Sequence, residues 1–448
     1  MKLPSRFTDE MFGLLGQEEA TDLFDSLESL SLEGLRLNPK RINMDEFLKR
    51  SDLNRDPIPW CQTGLYLSPE QKKRLSTHVD YHSGYYYFQE PSAMYPAMLL
   101  NPQPGDFVLD LCAAPGGKST QIAAALNGDG LLVTNEINPK RARALLKNIE
   151  LYGITNAIVT NSTGKHLRST YGSFFDKILV DAPCSGEGTF RKDKQSVREY
   201  ENYLPESLIS IQRDILDHAF DMLKPGGELV YSTCTFNTHE NEENIRYVLD
   251  HYPCEVVPTT KSDGMSAGVL GMDGAVRFWP HKTRSEGHFA VKLRKTDEAI
   301  TSSELKTAGQ WKLMESNERL RRGMESLLKY PLGGFYTIEN QRVYHLLVPQ
   351  PYSLKNKPLS IGLFLGVMGD HGFQPSQALA MSLKPEDLAE EISLNDDQAN
   401  RYIKGETISV QGSDGFYGMT HHGSVLGWGK ITGGFFKNLY EKGWRKSY

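Results

Sequence analysis

Three short apolar runs, FVL (107–109), ILV (178–180) and LVY (229–231), each open into a turn or polar loop that carries a cysteine. Runs of this length, bounded by Gly and Pro, predict buried strands. Two more follow the first, LLVT (131–134) and AIVT (157–160). Between these, PKRARALLKNIELYG (139–153) predicts a helix with Pro139 near its start and Gly153 as its cap. Residues 96–295 thus alternate strand and helix as βαβ units do, which implies a mostly parallel α/β sheet. Ligands of such sheets lie outside the carboxyl ends of the strands. The 112–118 loop, Cys184 and Cys234 are therefore expected to face one crevice.

On either side the pattern changes. Residues 1–95 predict short helices at 8–15, 18–27 and 44–50 around a strand at 34–38, an α+β unit ending in the aromatic stretch YYYFQEPSAMYP (85–96). A polar linker at 295–310 and a helix at 312–328 come next. Residues 334–448 turn Gly-rich, with strand-like runs at 343–348, 363–367, 407–410 and 424–428. The expected division is 1–95, a central domain at 96–295, a connecting segment at 296–355 and a small β-rich module at 356–448.

Composition narrows the class. With 448 residues, 39% hydrophobic and 24% charged, the chain reads as a multi-domain globular protein rather than a disordered or membrane one. No run approaches the ~18 apolar residues of a spanning helix. The N-terminus, broken by Pro4 and by charges, shows no signal peptide. Five cysteines without CxxC or Cys/His ligand spacing suggest a reduced, cytoplasmic protein without a structural metal. A net charge of −6 argues mildly against nucleic acid. Two local basic stretches, 277–295 and 430–448, weaken that objection.

The loops themselves carry the chemistry. In DLCAAPGGKST (110–120) the glycines permit close backbone approach, and the helix that follows offers N–H groups to a ligand. Glu136 lies 26 residues beyond Asp110 at the end of the next strand, where a carboxylate can bind a ribose diol. A phosphate P-loop is excluded, because its first Gly would have to stand where Cys112 stands. Cys184 and Cys234 sit just past strand ends, where N–H groups or a cationic ligand lower a thiol's pKa. Cys61 and Cys254 read as inert. Asp181 ends its strand three residues before Cys184. Asn237 and Glu240 read as a capping pair without chemistry.

DLCAAPGGKST, DAPCSGEGTFRKD (181–193) and YSTCTFNTHENE (231–242) together resemble the Nol/Nop/Sun (NSUN) family of S-adenosylmethionine-dependent RNA cytosine-carbon-5 methyltransferases. GLFLGVMGDHGFQPSQALA (362–380) and GWGKITGGFFKNLYEKGWR (427–445) resemble the C-terminal module of bacterial RsmF-like enzymes, which modify 16S ribosomal RNA. The resemblance implies a Rossmann-like class I methyltransferase core, an N-terminal RNA-docking unit and a PUA-like C-terminal RNA-binding module. It implies Cys234 as nucleophile, Cys184 as the thiol assisting release, and Asp181 on the cytosine edge. Lys192 becomes a candidate base or phosphate contact. The cofactor site would comprise Cys112, Ala113, Ala114, Pro115, Gly116, Gly117, Lys118, Glu136 and Asp181. Where the family places an Asp against adenine, this chain has NSTGK, and Thr163 lies closest to that position. Ribosomal RNA, within or outside the small subunit, is the implied partner of a monomer without DNA or membrane partners. The competing readings are a transfer-RNA enzyme, a DNA cytosine methyltransferase with its nucleophile in the PC loop, and a non-catalytic assembly factor.

Overall fold

The N-terminal stretch folds in two parts in the computed structural model, which describes residues 2–200, 205–262, 264–296, 317–346, 357–370 and 372–446. Helices Ser5–Leu15 and Gln17–Glu28 bury Phe7, Met11, Leu23 and Leu27 against Phe190, Tyr200, Phe236 and Trp279 of the central domain. The second part is an antiparallel sheet in the order β2–β1–β3, made of β1 (Glu33–Leu37), β2 (Gly64–Leu67) and β3 (Tyr86–Phe88). One face of β1 buries Leu35 and Leu37 with Phe47 and Tyr86. The alternate residue, Arg36, points the other way, as strand geometry demands. Its Nη2 donates to Gly117 O at 2.9 Å and Thr120 Oγ1 at 2.6 Å, and its Nε to Gln89 Oε1 at 3.2 Å.

The centre is the expected parallel sheet. Strands β4 (Phe107–Asp110), β5 (Leu131–Asn135), β6 (Ala157–Thr160), β7 (Phe175–Asp181) and β8 (Leu223–Thr233) are mutually parallel, in the spatial order β8–β7–β4–β5–β6. Order reverses between β4 and β7, and a crevice opens at such a switch point. Two short strands, β9 (Cys254–Val256) and β10 (Ser266–Ala267), precede β11 (Val276–Phe278) and β12 (His288–Lys295), which continue the sheet antiparallel beyond β8. Central strands are apolar on both faces, with Val108, Leu109, Leu132, Val133, Ile178, Leu179, Leu229 and Val230 fully buried, because helices cover both sides. The predicted helix at 139–153 spans Pro139–Leu151, with Asn138 capping its first turn and Gly153 at φ +65° just beyond its end.

The C-terminal unit begins earlier than expected. Strands β13 (Phe335–Glu339) and β14 (Arg342–Leu346) pair across the 355/356 boundary with β16 (Leu363–Gly369) and β17 (Gly372–Pro375). Just before β16, the two-residue strand β15 (Ser360–Ile361) pairs antiparallel with β6 and extends the central sheet. A second sheet joins β18 (Glu391–Ser393), β19 (Gly415–His421), β20 (Ser424–Thr432) and β21 (Phe435–Asn438). The strand expected at 407–410 does not form. Carbonyls of Thr407 and Ser409 accept instead from Arg401 and Gln398 side chains of helix Asp396–Ile403. From residue 297 onward the expected linker lies outside the described residues. So does the first part of the 312–328 helix, of which Glu318–Glu325 is described. No helix among the described residues is long and apolar enough to cross a membrane.

Arg36 is the polar joint between the N-terminal sheet and the helix that starts at Gly117. Arg36→Ala leaves buried acceptors unpaired and should cost about 2–3 kcal/mol, read as a lowered urea midpoint of the full chain.

Candidate active site

Strands β7 and β8 are neighbours, with Asp181 opposite Ser232. That register brings the loops that follow them side by side. Cys184 Sγ lies 3.3 Å from Cys234 Sγ, and the Cys234 N–H donates to Cys184 Sγ at 3.3 Å. The contact with Cys234, reinforced by burial, raises the Cys184 pKa well above the ordinary thiol value, so Cys184 keeps its proton.

Two buried carboxylates fix this pairing reciprocally. Glu187, in the Cys184 loop, accepts from the N–H groups of Phe236 and Asn237 at 2.8 and 2.9 Å. Glu240, in the Cys234 loop, accepts from the Ser185 N–H at 3.0 Å and from Gln212 Nε2 at 2.7 Å. Ser185 Oγ meets Thr235 Oγ1 at 2.7 Å, and the Gly188 N–H donates to Cys234 O at 2.9 Å. Glycine is required where the loops touch. A Cβ on Gly188 would stand 2.5 Å from Gly287 O, and one on Gly287 2.2 Å from the Phe236 ring. Asn237 and Glu240 do bond each other, through Asn237 Nδ2 to Glu240 Oε1 at 2.8 Å. The cap-type bond from the Glu240 N–H to Asn237 Oδ1 is also present at 2.9 Å, but it closes the turn before helix Glu242–His251, whose N-cap is Asn241, and the pair braces the site as well.

Asp181 ends β7, three residues before Cys184, with its carboxylate partly exposed. Lys118 Nζ donates to Oδ2 at 2.7 Å and Ser232 Oγ to Oδ1 at 2.7 Å. Burial opposes ionisation, but the Lys118 charge and these hydrogen bonds outweigh it and hold the pKa below the ordinary carboxylate value. His288 Nε2 lies 3.8 Å from Asp181 Oδ1 and has no hydrogen-bond partner. Burial, then the nearby Lys118, lowers the His288 pKa to about 3, so the imidazole is neutral. His288, Glu187 and Gln212 were not singled out from the sequence. Only Glu187 had a local signal, its place inside the GEGTF loop.

On the far side of β4 stand the cofactor candidates. Cys112 follows β4, half-buried, its thiol pushed far up by burial and then by Asp110. The Ala113 N–H bonds Asn135 O, Ala114 O accepts from Arg141, and Pro115 O accepts from Asn148. Gly116, at φ +111°, caps helix Gly117–Leu126. Glu136 accepts from the Asn138 N–H at 2.8 Å and pairs with Arg141 at 3.2 Å. The donor set fits S-adenosylmethionine. The N-terminus of helix Gly117–Leu126 suits the cofactor's anionic carboxylate, and the carboxylates of Glu136 and Asp181 suit its ribose hydroxyls and cationic sulfur. Thr163 caps helix Gly164–Tyr171, and Asn161 Nδ2 is held by the carbonyls of Glu136 and Ile137.

Other expected residues lie elsewhere. Lys192 Nζ donates to Glu33 Oε2 at 2.8 Å, a carboxylate it shares with Lys72. The basic stretch 277–295 is largely consumed internally. Arg277 is buried against Glu242, Arg284 pairs with Asp56, Lys282 with Glu19, and Lys292 and Arg294 with Glu228. An RNA surface was read from charge spacing alone, whereas the partners of these cations come from distant segments.

Glu187→Ala strands two buried N–H groups and should destabilise the chain by about 2–4 kcal/mol, measured by chemical denaturation. A second expectation concerns Asp110. Its Oδ2 accepts from Ser119 at 2.6 Å and its Oδ1 has no partner. Burial, then Asp181, raises its pKa from 3.8 to about 7. Its contribution to stability is complete below the ordinary pKa and lost as pH rises through about 7. Asp110→Asn should therefore flatten the decline in unfolding free energy between about pH 4 and 8. An unchanged slope in pH-dependent denaturation would count against it.

Residues 97–294 match the family 16S rRNA methyltransferase RsmB/F. Residues 3–91 match the N-terminal domain of 16S rRNA methyltransferase RsmF, and 389–446 the RsmF PUA domain. A ribosomal RNA small subunit methyltransferase F of Aliivibrio fischeri is 31% identical over 424 residues, covering 90% of this chain and 89% of that one. One from Vibrio vulnificus is 30% identical over 457 residues, covering 97% and 96%. Among solved structures, a methyltransferase homolog from Pyrococcus horikoshii superposes with TM-score 0.56 at 29% identity, covering 65% of this chain and 95% of that one. NSun6 of the same organism gives 0.57 at 23% identity, covering 66% and 99%, a likeness of fold. The chain belongs to the RsmB/F family of S-adenosylmethionine-dependent RNA methyltransferases.

Proposed function

We propose that this protein methylates carbon 5 of a cytosine in 16S ribosomal RNA, acting as a cytoplasmic monomer, through a covalent bond between Cys234 Sγ and carbon 6 of the base. The observation that carries the reading is the 3.3 Å approach of two thiols beside an ionised Asp181. Support for the substrate comes from relatives named as small-subunit ribosomal RNA methyltransferases that align over nearly the whole chain.

Carbon 5 of cytosine is too electron-poor to accept a methyl group unaided. Addition of the Cys234 thiolate at carbon 6 makes it enamine-like. Bound S-adenosylmethionine supplies a methyl group on a positively charged sulfur. Asp181 accepts from the amino edge of the base, and the Lys118 ammonium beside it balances charge as electron density moves into the ring. After methyl transfer the carbon-5 proton leaves to a base and the C–S bond breaks, returning an electron pair to Cys234 Sγ. Cys184, which retains its proton, hydrogen-bonds that departing sulfur. Lys192, on the rim with Glu33, serves as a phosphate contact rather than as the base. Glu136 takes the ribose diol and the 112–118 loop the remainder of the cofactor, with Thr163 at the adenine end.

Cys184→Ala should methylate once and then stall, leaving RNA bound through Cys234 as a slow band on a denaturing gel. Cys234→Ala, and the double variant, should give no band. A band with Cys234→Ala and none with Cys184→Ala would reverse the roles. Label transfer from methyl-labelled cofactor to DNA but not to 16S RNA would sink the substrate assignment.

A further inference from the structure

Far from the thiols, two adjacent histidines at the β19–β20 hairpin meet the N-terminal unit. Asp80, in helix Val79–His82, and His421 are buried, and His422 stands at the edge of the same contact. One ligand-type atom from each of the three lies within 4.8 Å of the others. The two imidazoles stack at 3.9 Å, and both turn Nε2 toward Asp396 Oδ1, at 2.8 and 3.4 Å. A carboxylate on Nε2 holds the proton there and leaves the Nδ1 lone pair free to bind a cation, the arrangement that orients metal-ligating histidines. His421 Nδ1 is buried and has no hydrogen-bond partner. His422 Nδ1 faces Arg50 Nη2 at 3.0 Å, and since a guanidinium only donates, this nitrogen is the acceptor. The same Arg50 Nη2 lies 3.2 Å from Asp80 Oδ1. Arg50 therefore places a positive group where lone pairs of His422 and Asp80 converge beside the unpaired His421 nitrogen.

We propose that this cluster is a site for one divalent transition-metal ion of the zinc class, bound by His421 Nδ1, His422 Nδ1 and the Asp80 carboxylate, with the partly exposed Arg50 side chain swinging out to solvent. Two imidazoles and a carboxylate suit zinc, cobalt or nickel better than magnesium or calcium. Because Asp80 comes from the N-terminal unit and both histidines from the C-terminal one, the ion pins together the two units that flank the catalytic domain. Sequence spacing could not reveal the site, since its ligands are more than three hundred residues apart.

The test uses the full chain, freed of metal by a chelator and titrated with Zn²⁺ by calorimetry and with Co²⁺ by visible absorption. One equivalent should bind, with a cobalt d–d band. His421→Ala and Asp80→Asn should abolish it, and Asp396→Ala should weaken it about 10–100-fold. Arg50→Gln should bind more tightly, a gain that misfolding cannot produce. Cys184→Ala/Cys234→Ala should bind as the parent does. The proposal is overturned by absence of stoichiometric binding in both the parent and Arg50→Gln. It is equally overturned if binding survives His421→Ala or disappears with the two thiols.

Discussion

Two buried carboxylates, Glu187 and Glu240, hold together what no single loop could. Each belongs to one thiol loop and accepts hydrogen bonds from the backbone of the other. Burying an ionisable carboxyl is costly unless its oxygens are matched by donors, and here the donors are the N–H groups that flank the cysteines. Satisfying those carboxylates and setting the distance between the thiols are one and the same requirement. The glycine-only contact of Gly188 with Gly287 and the aromatic wall of Phe7, Phe236 and Trp279 press the loops together from behind. The first two helices thus brace the thiol loops through Phe7, which packs on Phe190 and Phe236.

The order of the strands was legible because local pattern decides it. Apolar runs ending in Gly- or Cys-bearing turns give strands and their exits, and parallel topology then brings those exits to one edge. Cys184, Cys234 and Asp181 were identifiable for that reason, and the structure brings the two thiols to 3.3 Å, with Asp181 held by the neighbouring strand's Ser232. What escaped depends on partners distant in sequence. Glu240 read as a cap because its nearest polar neighbour is Asn237, yet its second oxygen serves Ser185 and Gln212. Arg277 read as a surface charge, but Glu242, in the first turn of helix Glu242–His251, takes it into the interior. At 407–410 the alternation of a strand is present, but side chains of the preceding helix reach its carbonyls first.

The distribution of charge follows the same logic. A chain of net charge −6 that binds RNA must expose its cations selectively. Those in 277–295 are spent on internal pairs, and Lys446 reaches back to Thr77 O at 2.8 Å. In the last segment Lys437 and Lys442 remain exposed.

The two-residue strand Ser360–Ile361 lies along β6, the last parallel strand of the central sheet. Main-chain bonds from Leu359 to Val159 O at 2.7 Å and from Gly362 to Ala157 O at 2.8 Å lengthen the seal. An uncovered β6 would present unpaired N–H and C=O groups to any other extended chain, the usual opening for edge-to-edge aggregation. This short stretch before β16 thus acts as a stopper for the catalytic sheet. A catalytic fragment ending near residue 295 would keep its residues of the crevice and still be a poor protein in solution.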